Sequence, residues 1–155
     1  DFYLAVDVKL EPDTANGGIQ FRAKRADTTS TQAIGYQADA GAGWWGTLYH
    51  EHGRKQLFTD KRAESAVKPG QWNRYEILAV GPAIWTAING TLGVAYLDTH
   101  PEAEMTGQVA FQIHAGAPLT ASYKIRKLVH NPKVELAGMD AEALFNALQL
   151  PAASK

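Results

Sequence analysis

Apolar and polar positions alternate with a period of two along most of the first 130 residues, the spacing expected of half-buried β-strands. The stretch 1-DFYLAVDVKL-10 alternates from the first residue, and after the turn signal 16-NGG-18 the segment 19-IQFRAKR-25 alternates again. A Thr/Ser-rich loop, 27-DTTSTQ-32, leads into 33-AIGYQAD-39, and the glycine-rich 40-AGAG-43 precedes an aromatic strand, 44-WWGTLYHE-51. The charged segment from His52 to Gln71 reads as a long loop. Three further strands, 72-WNRYEILAV-80, 83-AIWTAIN-89 and 91-TLGVAYLD-98, are joined by Gly81-Pro82 and Asn89-Gly90 and form consecutive antiparallel hairpins. Segments 107-GQVAFQI-113 and 121-ASYKIRKLV-129 complete the β part. The spacing then becomes helical in 140-DAEALFNALQL-150, with Asp140 as N-cap and Leu144, Phe145 and Leu148 on one stripe.

Many short strands and one late helix predict an all-β jelly-roll sandwich of two antiparallel sheets with a short C-terminal helix. The expected division is a β-sandwich domain over 1–135 and a helical tail over 136–155. Asn89-Gly90-Thr91 matches a glycosylation sequon, and at a tight hairpin it reads as the turn itself.

Charge narrows the partners. Lys+Arg 15 against Asp+Glu 16 leaves a net charge of −1, with no basic run longer than Lys24-Arg25 or Lys61-Arg62, so phosphate-driven nucleic-acid binding is not expected. No apolar run is long enough for a membrane span, and no charged leader precedes an apolar segment. The absence of cysteine excludes disulfides and Cys-ligated zinc.

Composition gives one face of the sheet a particular character. Ile19-Gln20-Phe21-Arg22, Tyr36-Gln37-Ala38-Asp39 and Phe111-Gln112-Ile113-His114 each place two polar residues on one side of a strand. A solvated face favours Lys, Glu and Thr, whereas three glutamines with Arg22, Asp39 and His114 form a set of directional donors and acceptors suited to sugar hydroxyls. Trp44, Trp45, Tyr49 and Trp85 are available to stack on pyranose rings. Trp72, Trp85, Tyr75 and Tyr96 also fit the alternative of packing between sheets.

The segments 16-NGGIQFR-22, 35-GYQAD-39, 44-WWGTLY-49, 69-PGQWNRYEI-77, 88-ING-90 and 112-QIHAGAP-118 occur in the order and at about the spacing found in the 3-keto-disaccharide hydrolase family, which the chain resembles over residues 1–130. The resemblance implies a concanavalin A-like jelly roll acting on 3-keto-glycosides, whose ketone is introduced by a separate sugar 3-dehydrogenase. It also implies export in bacteria, to the periplasm or outside the cell, with the leader not present in this chain. Relatives carry a further N-terminal segment before the strand that matches 1–10, so one edge strand is expected to be absent or to come from elsewhere. Glu51 matches the family's Leu-Tyr-Asp-Glu pattern in 48-LYHE-51, and His50 does not.

A C3 ketone acidifies the C2 proton, so a base can remove it and the enolate can expel the C1 substituent, after which water can add. On this reading His114 is the base, Arg22 stabilises the enolate, and Asp39 orients His114 or acts as the acid, with Glu51 as the alternative acid. Gln20, Gln37 and Gln112 hold ring hydroxyls, joined by Tyr49 and Trp45 as substrate contacts. The alternatives are a hydrogen-bonded sheet histidine at 114 and a cross-strand Arg22–Asp39 ion pair. His50 and His52 share a face if the strand runs through them, which admits a divalent metal ion although no third ligand stands out. The second reading of the whole face is a non-catalytic, lectin-like carbohydrate-binding module.

Overall fold

In the computed structural model, which describes residues 1–150, the alternation builds ten strands. They are β1 (Phe2–Glu11), β2 (Asn16–Arg25), β3 (Ala33–Gly41), β4 (Thr47–Glu51), β5 (Lys55–Thr59), β6 (Asn73–Val80), β7 (Ala83–Ile88), β8 (Thr91–Leu97), β9 (Gln108–Ile113) and β10 (Thr120–His130). Two short helices, α1 (Lys61–Ser65) and α2 (Ala141–Asn146), complete the set. The strands form two five-stranded antiparallel sheets, ordered β10-β1-β6-β7-β8 and β5-β4-β3-β2-β9. The expected jelly-roll sandwich is what these sheets make.

The core follows from the period of two. Val6 and Val8 of β1 and Tyr75 and Ile77 of β6 face Ile19, Phe21, Tyr36, Ala38 and Leu48 from the opposite sheet, all of them buried. Each aliphatic side chain removed from water contributes about 1.5–3 kcal/mol, and packing fixes the register because a one-residue slip would turn every such side chain outward. A smaller cluster lies on the outer face of the first sheet, where Leu78, Trp85 and Ala87 are covered by Leu136 and Leu144. Trp85 donates its Nε1–H to the Leu144 carbonyl at 2.9 Å, so this tryptophan is a packing residue.

Three expectations about elements change. The strand expected from Trp44 begins only at Thr47, because residues 42–46 form a turn with Gly43 and Gly46 at positive φ. The loop expected from His52 to Gln71 contains β5 and α1. β5 adds Phe58 to the edge of the core, and α1 starts where the Asp60 carboxylate accepts the Arg62 N–H at 2.8 Å. The C-terminal helix, capped by Asp140 as expected, ends at Asn146 rather than residue 150. Gln149 instead pairs with the free edge of β8, donating its N–H to Ala95 and accepting from Leu97, both at 2.9 Å. Residues 151–155 of the expected tail lie outside the described residues. No helix among those described is long and apolar enough to cross a membrane.

Candidate active site

The outer face of the second sheet carries the polar set. Opposite Ile19 and Phe21, which enter the core, β2 presents Gln20; β3 presents Gln37 and Asp39 on the same side, β4 Tyr49 and Glu51, and β9 Gln112, with His114 just beyond it. Asp39, Glu51, His114, Gln37 and Tyr49 line one pocket of about 510 Å³, together with Asn16, Thr14, Ala42 and Trp44. Strands β2, β3 and β4 and the loops beside them therefore bring together residues from Thr14 to His114.

A chain of hydrogen bonds orders the floor of this pocket. Gln37 donates through Nε2 to Asp39 Oδ1 at 2.6 Å and to Gln112 Oε1 at 3.0 Å, and Gln112 Nε2 donates to Glu51 Oε1 at 2.9 Å. Two acceptors at one end of Gln37 fix its orientation, and this leaves Gln37 Oε1 buried with no partner. Gly18 makes room for the arrangement, since a Cβ there would stand 2.6 Å from Gln37 Cδ.

The electrostatics single out Asp39. Burial pushes its carboxyl up to about 7, and the nearby Glu51 charge adds to the rise, while the Gln37 hydrogen bond and the proximity of His114 oppose it. A carboxyl in that range exchanges protons near neutral pH. His114 lies exposed at the mouth, with Nδ1 2.7 Å from the Ala115 carbonyl. A carbonyl can only accept, so Nδ1 carries the proton and Nε2 presents a bare lone pair in the neutral ring.

Residues 1–128 match the 3-keto-alpha-glucoside-1,2-lyase-like domain. The chain belongs to that family. The fold of this 3-keto-alpha-glucoside-1,2-lyase-like domain resembles two crystal structures, each of a "putative glycosyl hydrolase" from Parabacteroides distasonis ATCC 8503. One is 16% identical with a TM-score of 0.55, over 79% of this chain and 68% of that one. The other is 17% identical with a TM-score of 0.49, over 81% of this chain and 77% of that one. No curated protein matches the chain.

Arg22 is absent from the pocket of this family member. A β-bulge between Phe21 and Lys24 inserts one residue, Arg22 takes φ 47°, and its guanidinium turns away to donate to the carbonyls of Gly81 at 2.7 Å and Glu104 at 3.3 Å. The expected Arg22–Asp39 pair and an enolate-stabilising Arg22 are therefore not formed, because the bulge reverses the side-chain parity on which both relied. Trp45 is also displaced. It is 6% exposed and stacks on Tyr75 in the core, while its neighbour Trp44, 41% exposed, lines the pocket edge-on to Tyr49 with ring centroids 6.3 Å apart. Gln20 stays on the polar face, in a second groove beside the pocket. His50 and His52 do not share a face: His50 is buried, with Nε2 2.8 Å from Glu104 Oε2, whereas His52 lies past the end of β4 at φ 52°. No group of three His, Asp or Glu side chains among the described residues is placed to hold a metal ion.

The pattern assigns Asn16 no role at the site, and it offers Trp44 as one of four rings able to stack on a sugar while taking Trp45 as the substrate contact. Asn16 read as a turn residue, and the parity of Trp44 could not be counted across the turn that precedes β4.

Proposed function

We propose that this protein cleaves 3-keto-glycosides by eliminating the substituent at C1. His114 Nε2 takes the proton from C2, and the electron pair of the broken C–H bond passes into the enolate of the C3 ketone. The enolate collapses back to the ketone, a C1–C2 double bond forms, the C1–O bond breaks, and the leaving oxygen takes the proton of Asp39. Addition of water across the new double bond gives the free 3-keto sugar. An oxidoreductase acting on the sugar's C3 hydroxyl must supply the substrate.

The observation that carries this reading is the opening of Asp39, His114 and Glu51 into one pocket, with Asp39 pushed up to about 7. An acid that is half-protonated near neutral pH is what leaving-group departure needs, and a histidine with a bare Nε2 is what C2 deprotonation needs. Glu51, held by Gln112, is the alternative donor. With Arg22 elsewhere, the donors open to the enolate oxygen are the Tyr49 hydroxyl and the Asn16 amide, neither side chain being committed to a hydrogen bond among the described residues. Trp44 with Tyr49 forms the apolar wall for the ring.

The test is aglycone release from a 3-keto-glucoside and from its unoxidised parent, for the wild type and His114→Ala. Release from the keto sugar alone, lost in His114→Ala with little change in thermal midpoint, is the expected result. Saturable binding of both sugars without release would assign the face to a lectin-like module instead.

A further inference from the structure

Glu51 and His114 stand on a divide. On one side is the pocket already described; on the other is a second groove of about 530 Å³ that also includes both residues in its wall. Both volumes fall within the range of small-molecule sites. The second groove runs along the polar face toward the far end of β2, past Gln20, Gln32 and Gln108, to Lys24 and Arg25. Its aromatic member, Phe111, is already stacked on Tyr123 with centroids 4.6 Å apart, so the groove lacks the free stacking wall that Trp44 and Tyr49 give the first pocket.

Two features distinguish this groove. A sugar ring seated against Trp44 and Tyr49, with its C1–C2 edge at the proton-transfer groups, directs whatever is attached at C1 across Glu51 and His114 into it. Its charge is also positive, because the bulge that removes Arg22 from the polar face continues that face with Ala23 and Arg25, in register with Gln108 and Ala33. Neither Lys24 nor Arg25 makes a salt bridge among the described residues. The carboxylate facing them in the lining is Glu51, which Gln112 already engages, and the remaining titratable groups there are His52 and His114.

We infer that the second groove receives the group attached at C1 of the sugar and that Lys24 and Arg25 favour one carrying a negative charge. This rests on the first pocket being the site of the 3-keto ring. The two cations attract an anionic group without a rigid clamp, and the preference weakens as salt screens it.

The experiment compares 4-carboxyphenyl and 4-carbamoylphenyl 3-keto-glucosides with the wild type and the Lys24→Gln/Arg25→Gln double variant. Leaving-group electronics cancel when the ratio of kcat/KM for the two substrates is compared between proteins. That ratio is expected to fall about three- to tenfold in the variant, the size set by two exposed charges, and to fall in the wild type from low to high salt. An unchanged ratio overturns the inference. If neither keto-glycoside is cleaved, the proposed function fails, and calorimetric titration with the two unoxidised glycosides reads the groove directly. Tighter binding of the carboxylate by the wild type, lost in the variant, supports the charge preference; equal binding overturns it.

Discussion

The hydroxyl of Tyr123, from β10 of one sheet, donates to the carbonyl of Gln112 in the other sheet at 2.7 Å and accepts the Gly18 N–H at 3.1 Å. It therefore stands inside the β2–β9 ladder two residues before His114. Gly17 permits this, since a Cβ there would stand 2.6 Å from the hydroxyl.

Tyr123→Phe is expected to lower kcat about tenfold with a smaller change in KM, because Gln112 and His114 lose the contact that fixes their strand. Leaving the two backbone groups unpaired costs about 1–3 kcal/mol. Steady-state kinetics beside thermal unfolding check this. A destabilised variant whose surviving fraction turns over normally would make Tyr123 purely structural. Gly17→Ala should reproduce the defect by pushing the hydroxyl aside.

Asp39 gives a pH dependence whose sign is fixed. Its carboxyl is raised in the folded state from 3.8 to about 7, so the native protein holds a proton that the unfolded chain has released across that window. Stability therefore falls as pH rises from about 4 to about 7 and then levels off, at a cost on the order of 4 kcal/mol. Asp39→Asn should remove this slope, being more stable than the wild type at pH 8 while losing turnover. The proton-donating role adds that kcat/KM falls as pH rises through about 7. Urea unfolding and kcat/KM across the same pH series measure both, and a wild-type profile flat through neutrality would remove Asp39 as the donor.

Arg22→Ala should act on the fold and not on the chemistry. The guanidinium is 4% exposed and holds the Gly81 and Glu104 carbonyls, so its loss costs about 2–4 kcal/mol. KM and kcat of the folded protein, measured well below the thermal midpoint, are expected to remain within about twofold of the wild type, since the side chain does not enter the pocket.

The adjacent tryptophans should separate cleanly. Trp44→Ala raises KM about tenfold with a near-normal thermal midpoint, through loss of a stacking surface. Trp45→Ala, which empties the space against Tyr75, costs about 3–5 kcal/mol. Reversed outcomes would make Trp45 and not Trp44 the ring-binding wall.

Much of the site was legible because Gln37, Asp39, Gln112 and His114 lie in uninterrupted alternating segments, where counting by two gives the face directly. Arg22 and Trp45 were misplaced for one shared reason: each lies next to a break in the alternation, a bulge in one case and a two-glycine turn in the other. β5 was missed because its Lys55, Gln56 and Thr59 look like loop, and its two core contacts, Leu57 and Phe58, are adjacent and carry no period of two.

The sequence by itself determined the strands other than β5, the hairpin turns, the composition of the polar face and the family. The first three depend on side-chain polarity at a fixed spacing and on turn residues, which are local properties, and the family resemblance rests on the order of specific motifs such as 35-GYQAD-39 and 112-QIHAGAP-118. Tertiary structure decided that Asp39 is buried enough to be pushed up to about 7, that Glu51 and His114 divide two grooves, and that Arg25 rather than Arg22 continues the polar face. Those outcomes depend on which strands become neighbours and how their pairing absorbs one extra residue, and a pattern along a single chain does not encode the distance between two strands.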